Sequence, residues 1–221
     1  MPLLNDRTIE SVVIAGAGGF GMEVFDYLSA DAHAGGPRIA GFIDDGPSNP
    51  IPGQLGSTHL GTIGDYQPVE RQAVVVAVGS VKGRRLILSR LWEAGVYIPA
   101  FVSTNTVTSP NAQLGDGVVV CPYSVINRNA VLGRGVAVNV HCSVGHGAKI
   151  GEFSVLSPYA ALNGDASVGD DCFLGTRATI YPRTSLGAGC IVDSHTGVRT
   201  SAGARQMISS RGTYQVIALR T

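Results

Sequence analysis

The stretch L-GDGVVV-CPYSVI-NRNAVL-GRGVAV-NVHCSV-GHGAKI, Leu114 to Ile150, decides how this chain folds. Broken into sixes, every group ends on an aliphatic residue. The column continues through Leu156, Leu162, Val168, Leu174, Ile180, Leu186, Val192 and Val198, so fifteen successive positions from Leu114 are Leu, Ile or Val. Four residues after each, from Val118 to Thr196, stands a small or β-branched residue. Such self-similarity outranks local propensity, because each unit can bury its apolar face only against its neighbours. Six residues make one flat face, and three faces make a coil of 18. Glycine shows that longer period directly: Gly115, Gly133, Gly151, Gly169 and Gly187 form one column. A glycine at one corner of every coil predicts a turn with a demanding backbone conformation. The run therefore predicts a left-handed parallel β-helix whose narrow interior the aliphatic column fills. Cys142, Cys172 and Cys190 stand in the small-residue slot and read as interior packing.

Upstream the period is different. Ser11 to Ala15 is a short apolar strand, Gly16 to Gly21 a glycine turn, and Met22 to Ala30 has helical spacing. Arg38 to Ile43 reads as a second strand ending in Asp44-Asp45-Gly46. Ala73 to Val78 suits a strand buried on both faces. Val81 to Ala94 reads as a basic amphipathic helix, and Val96 to Val102 leads out of the domain. Alternating strand and helix imply a parallel sheet. Gly16-Ala17-Gly18-Gly19-Phe20-Gly21 fits G-x-G-x-x-G between strand and helix, with Asp44 at the end of the next strand. Backbone N–H groups at a helix start cradle phosphate, and such an acid binds a ribose. A redox dinucleotide would need a substrate domain with hydride chemistry, which a β-helix does not provide. A nucleotide handle on the substrate suits the short α/β half better; a tight turn without ligand is the bland alternative.

Charge narrows the partners. The 221 residues carry 16 Lys+Arg against 16 Asp+Glu, which gives no electrostatic footprint for nucleic acid or an anionic membrane. No apolar stretch approaches the roughly 20 residues a spanning helix needs, and Met1 to Glu10 lacks a signal-peptide core. The expectation is a soluble, cytoplasmic protein. Four cysteines (the three above and Cys121) form no C-x-x-C pair, so a zinc ribbon or thioredoxin-like site is not expected.

Of five histidines, His33 and His59 read as solvated loop residues. His146 sits two residues after inward Val144; His141 and His195 each sit three after an inward aliphatic, on one face. An imidazole titrates near neutrality, which suits a general base. A metal site is the competing reading. His141 and His146 are five apart, a spacing seen in γ-class carbonic anhydrases, but the third ligand would fall near Asn105, and catalytic zinc usually keeps three protein ligands. No metal is expected. The flanks of a solenoid bury a ligand poorly alone, so the site is expected between copies of a homotrimer, to match three faces.

The joint pattern resembles the sialic-acid-O-acetyltransferase-like family of sugar acyltransferases, in particular the bacillosamine-pathway enzymes that N-acetylate a UDP-4-amino sugar. The likeness runs from about Val12 to Val198. It is carried by Ala15 to Gly21, Gly41-Phe42-Ile43-Asp44-Asp45, Val76-Ala77-Val78-Gly79, Asn139 through Leu156, and Asp171-Cys172-Phe173-Leu174-Gly175. It implies an α/β plus β architecture: a small Rossmann-like nucleotide-sugar-binding domain over 1–102, a left-handed β-helix acyltransferase domain over 103–204, and a C-terminal tail over 205–221. It implies that Gly18, Gly19, Phe20, Asp44, Asp45 and Gly79 hold the nucleotide sugar. His146 falls on the family's catalytic histidine and Asn139 on an Asn one coil face earlier. Thr176, Ser194, Gly175 and Val155 fall where the family contacts acetyl-CoA, the acyl donor.

Three departures accompany the likeness. Gly147 stands where the family has an acid directly after the histidine; Glu152, Asp165 or a neighbouring subunit would have to replace it. Val155 replaces a CoA-contacting histidine, and the tail RQMISSRGTYQVIALRT (205–221) replaces the usual Gly-x-Pro-Ala ending. The expected activity is acyl-CoA-dependent N-acetylation of a nucleotide-linked amino sugar. O-acyl transfer to a sugar or natural product, a γ-carbonic-anhydrase-like metal enzyme and a non-catalytic scaffold are the alternatives.

Overall fold

The computed structural model describes residues 3–4, 8–33, 35–46 and 58–210. Its first half is a four-stranded parallel sheet. Strand β2 (Ser11–Ala15) lies between β3 (Arg38–Ile43) and β5 (Gln72–Val76), and β4 (His59–Gly61) adds to the outer edge of β3. Helix α1 (Gly19–His33) follows β2, and α2 (Val81–Glu93) follows β5. Every residue of β2 is buried, as its unbroken apolar run requires of a central strand. The Ser80 hydroxyl caps α2 by accepting from Gly83 N (3.2 Å). Two features escape the sequence reading. β4 is an edge strand of three residues and places His59 in the sheet, and β1 (Leu3–Leu4) pairs antiparallel with β6 (Ala100–Val102).

From β6 onward the chain winds as the expected parallel β-helix, a prism with three sheets. One runs from β1 and β6 to Met207–Ile208, the second from Val107–Thr108 to Gly197–Val198, and the third from Gln113–Leu114 to Ser185–Leu186. Register advances by one coil at a time: Val119 faces Ala137, then Val155, Phe173 and Ile191. The inward aliphatics and the small residues four places later form one continuous buried core, Cys142, Cys172 and Cys190 included. Each fully buried aliphatic contributes on the order of 1.5–3 kcal/mol relative to exposure. Burial pushes the Cys142 thiol up to about 12, so the slot cysteines are packing groups.

The ladder takes in Ala100–Val102 and Met207–Ile208, which lie beyond the boundaries expected at 102/103 and 204/205. Both ends are hidden by a break in the repeat. Thr108 takes the inward place one repeat before Leu114 and buries a hydroxyl without a partner among the described residues. At the other end Ile191 pairs with Met207 and Leu186 bridges to Ala202, so the spacing slips from 18 to 16. Residues 211–221 of the expected tail lie outside the described residues. No described helix is long and apolar enough to cross a membrane.

The glycine column needs a different reason from the one its spacing suggests. Left-handed backbone falls two residues after those glycines, at Gly117, Gly135, Phe153, Asp171 and Gly189. The other two corners repeat it, at Tyr123, His141, Tyr159, Arg177 and His195, and at Asn129, Gly147, Asp165 and Arg183. What excludes side chains at the column is the next coil. A Cβ on Gly169 would stand 2.5 Å from Ala188 N and 2.8 Å from its Cα. Gly169→Ala is therefore expected to destabilise the fold by about 1–3 kcal/mol through overpacking against backbone. An unchanged urea midpoint would show that the coils can separate freely.

The α/β domain covers one side of the prism. Val119 and Cys121 belong to its core on one flank, and Phe153 on the other. Helix α2 lies along the Gly117–Gly135–Phe153 corner. The Arg85 guanidinium sits 4.0 Å above the Phe153 ring and binds Asp171 through two bonds of 2.7 Å. Arg134 sits 4.1 Å above the Trp92 ring.

Candidate functional site

In the α/β half, β3 and β5 flank β2 on opposite sides, so the chain reverses direction across the sheet at β2–β5. Ligands of open parallel sheets bind beyond the carboxyl ends at such a point. The residues there are the loop after β2 and Val78-Gly79 after β5. A Cβ added to Gly18, Gly19 or Gly79 would meet nothing within 4 Å. Gly16 and Gly21 are different: Gly16 packs on Ala77 O and Gly21 on Gly16 O, which closes the turn and points α1 at the crevice. Three of the expected binding residues thus frame an open space at a helix start, with half-buried Phe20 beside them.

The two acids are engaged with the chain itself. Asp44 accepts from Ala17 N (2.6 Å) and from Gly46 N (2.6 Å), so it ties the glycine loop to the end of β3. Asp45 accepts from Ile63 N (2.8 Å) and lies 3.7 Å from Arg90. Any ribose contact by Asp44 has to use its remaining lone pairs.

In the prism, the expected residues fall on two corners. Asn139, Gly175, Thr176 and Ser194 share the corner that follows the sheet under the α/β domain. Asn139 Oδ1 accepts from Val140 N (2.7 Å), which turns the side chain onto its own corner. Gly175 leaves room for Ser194, whose hydroxyl would lie 2.9 Å from a Cβ there. Thr176 O accepts from His195 N (2.8 Å). Val155 is in the sheet rather than on a corner and is only 5% exposed.

His146 stands on the next corner, exposed to solvent, with its ring against the following coil. A Cβ on Gly164 would lie 2.5 Å from both Cε1 and Nε2 of that ring. Asp165, the next residue, donates its backbone N–H to His146 O (2.9 Å) and lays a carboxylate oxygen against Gly147. Glu152 is elsewhere, on the corner that carries Arg85 and Asp171. Asn139 and His146 are one face apart within a single chain.

The structure separates His141 from His146 by the strand Ser143–Val144, and among the described residues no three His, Cys, Asp or Glu side chains group as a metal requires. His141 is instead sandwiched between Tyr123 (ring centroids 5.1 Å apart) and Tyr159 (4.7 Å), and Arg177 caps the stack 5.0 Å from Tyr159. This ladder was missed in the sequence, although Tyr123, His141 and Tyr159 repeat at the coil period. Arg177 lies on the corner with Thr176, whereas Arg199 binds the Tyr181 hydroxyl (3.1 Å) on the His146 corner.

Residues 11–91 match the PglD N-terminal domain family. Most of the chain is similar to solved structures. The acetyltransferase domain of PglB from Neisseria gonorrhoeae FA1090, in complex with acetyl coenzyme A, is 27% identical with a TM-score of 0.82, over 91% of this chain and 97% of that one. PerB from Caulobacter crescentus, in complex with CoA and GDP-perosamine, is 26% identical with a TM-score of 0.80, over 90% and 94%. WeeI from Acinetobacter baumannii AYE is 29% identical with a TM-score of 0.77, over 87% and 93%. No curated protein matches the chain.

Proposed function

We infer that this chain, a hexapeptide-repeat sugar acyltransferase with a PglD N-terminal domain, transfers acetyl from acetyl-CoA to the amine of a nucleotide-linked amino sugar. The observation that carries the reading is the pairing of an open glycine crevice at the switch of the sheet with an accessible histidine on a β-helix corner. PerB, which the chain resembles over nearly its full length, holds CoA and a GDP-linked sugar. In the proposed arrangement Gly18, Gly19 and Gly79 receive the nucleotide, with Phe20, Asp44 and Asp45 around it. Gly175, Thr176 and Ser194 line the donor's path, and Asn139 stands on the same corner. Val155, being buried, supports that path from beneath.

His146 is the general base. The acceptor nitrogen bonds to the acetyl carbon, the carbon–sulfur bond breaks, and the sulfur leaves as thiolate. His146 takes the proton from the nitrogen, and the thiolate is protonated to free CoA. Backbone N–H groups of a turn stabilise the developing oxyanion, a contribution worth about 2.7–4 kcal/mol per donor in comparable sites.

The same geometry favours a homotrimer. The α/β domain covers one side of the triangular prism, and His146 lies on the opposite corner. Crevice and base of one chain therefore face away from each other, and a neighbouring copy brings a crevice to that base. The test is to incubate the protein with acetyl-CoA and a panel of UDP-, dTDP- and GDP-linked amino sugars, following free thiol. Release that depends on one acceptor is expected. Binding of acetyl-CoA with silence across the panel would replace the reading with a non-catalytic scaffold.

A further inference from the structure

We propose that Asp165 is the carboxylate partner of His146, supplied by the next coil of the β-helix. The assignment rests on the reading of His146 as the base and names the residue whose charge assists it.

The corner itself makes the pairing. Gly147 and Asp165 are successive members of one turn column, 18 residues apart, with left-handed φ of +66° and +57°. The hydrogen bond from Asp165 N to His146 O fixes their backbones against each other. The two side chains then cross the gap in opposite directions. The His146 ring leans forward over Gly164, and the Asp165 carboxylate leans back over Gly147. Each uses a glycine as its floor. A Cβ on Gly164 would strike the ring, and a Cβ on Gly147 would strike the carboxylate oxygen. A side chain at 147 and the Asp165 carboxylate therefore compete for one space, and this chain fills it from 165.

Among the described residues the Asp165 carboxylate makes no hydrogen bond or ion pair. It stands exposed over Gly147 and is available to a cation. His146 becomes that cation when it takes the acceptor's proton. A negative charge on the adjacent turn stabilises the imidazolium as it forms. Asp is also among the few side chains that tolerate left-handed backbone, so the turn and the charge are satisfied by one residue.

The experiment uses the full chain, with acetyl-CoA and the panel acceptor that gives the highest wild-type rate. Asp165→Asn keeps a residue suited to the turn and removes only the charge. It is expected to lower kcat by about 10- to 100-fold with both KM values and the melting temperature unchanged. A purely structural role would move the melting temperature instead. Adding Gly147→Asp to Asp165→Gly returns a carboxylate to the same space from the adjacent residue, and is expected to recover most of the lost kcat. Wild-type kcat in Asp165→Asn, alongside an inactive His146→Ala, overturns the assignment and leaves the base in place. Loss of kcat that the relocated acid does not repair also overturns it. Full turnover by His146→Ala removes the base and its partner together.

Discussion

His146→Ala is expected to lower turnover by about 10²–10⁴-fold, the range for loss of a positioned proton acceptor. Acetyl-CoA binding should survive, because the ring is exposed and lies against Gly164 of the next coil. The fold should survive as well, since the substitution leaves the inward neighbours Val144 and Ala148 untouched. A second experiment separates the role of His146 from its address. Gly18→Asp puts a charged side chain into open space in the crevice, where it repels a nucleotide's phosphates. Each single variant should be inactive. Co-expressed, they should recover part of the activity, because the proposed trimer, when mixed, would contain interfaces that combine an intact crevice from one chain with an intact His146 from another. Complete silence of the mixture would place crevice and base in one chain and dismiss the assembly argued from the prism. Wild-type turnover by His146→Ala would dismiss the base.

The prism was legible because its signal is one of identity at fixed spacing, carried by many residues at once. Its ends were not, because a single residue can break the column: Thr108 at one end, a two-residue slip before Met207 at the other. The glycine column was seen, and its cause was misread. A one-dimensional period shows that a Cβ is excluded, but not whether backbone angle or the neighbouring coil excludes it. Gly169 answers with Ala188 only in three dimensions. The glycine loop was legible down to its open positions, Gly18 and Gly19, because strand, turn and helix are contiguous. Asp44 was placed correctly at the end of its strand, yet spacing does not disclose that both its oxygens already hold backbone N–H groups. His146 stood out by its place two residues after inward Val144. The floor that Gly164 gives its ring, and that Gly147 gives Asp165, depends on which residues stack one coil apart.

The least legible residue is Arg84, and replacing it should have the largest effect on stability. In sequence it is one basic residue among Lys82, Arg85 and Arg90 on a helix that reads as basic and amphipathic. In the structure it is fully buried, one helical turn before Leu88 and two before Leu91, on the face of α2 that meets the prism. Among the described residues its guanidinium has no carboxylate partner. It donates instead to three carbonyls: Nε to Gly135 O (2.5 Å), Nη1 to Val76 O (2.5 Å) and Nη2 to Gly117 O (2.6 Å). Gly117 and Gly135 sit at left-handed turns, where their carbonyls leave the strand ladders and need an outside donor. Val76 ends β5, three residues before Gly79. One side chain therefore pins the crevice's floor to two successive coils.

Burial brings the Arg84 guanidinium down to about 10, so it stays protonated at neutral pH and keeps its fork of donors. Arg84→Met preserves most of the volume and strands three buried carbonyls. The expected cost is about 3–5 kcal/mol, read as a fall in the urea midpoint at fixed protein concentration. Arg85→Ala is the control from the adjacent position. Its pair with Asp171 has side chains 43% and 36% exposed, and its loss should cost no more than about 1 kcal/mol. Partial digestion of Arg84→Met should release the α/β half first, because its moorings to the prism are lost while the aliphatic column inside the prism is intact. Equal costs for the two arginines would mean that the three carbonyls find water once the guanidinium is gone, and that packing around Leu88 and Phe153 alone holds the halves together.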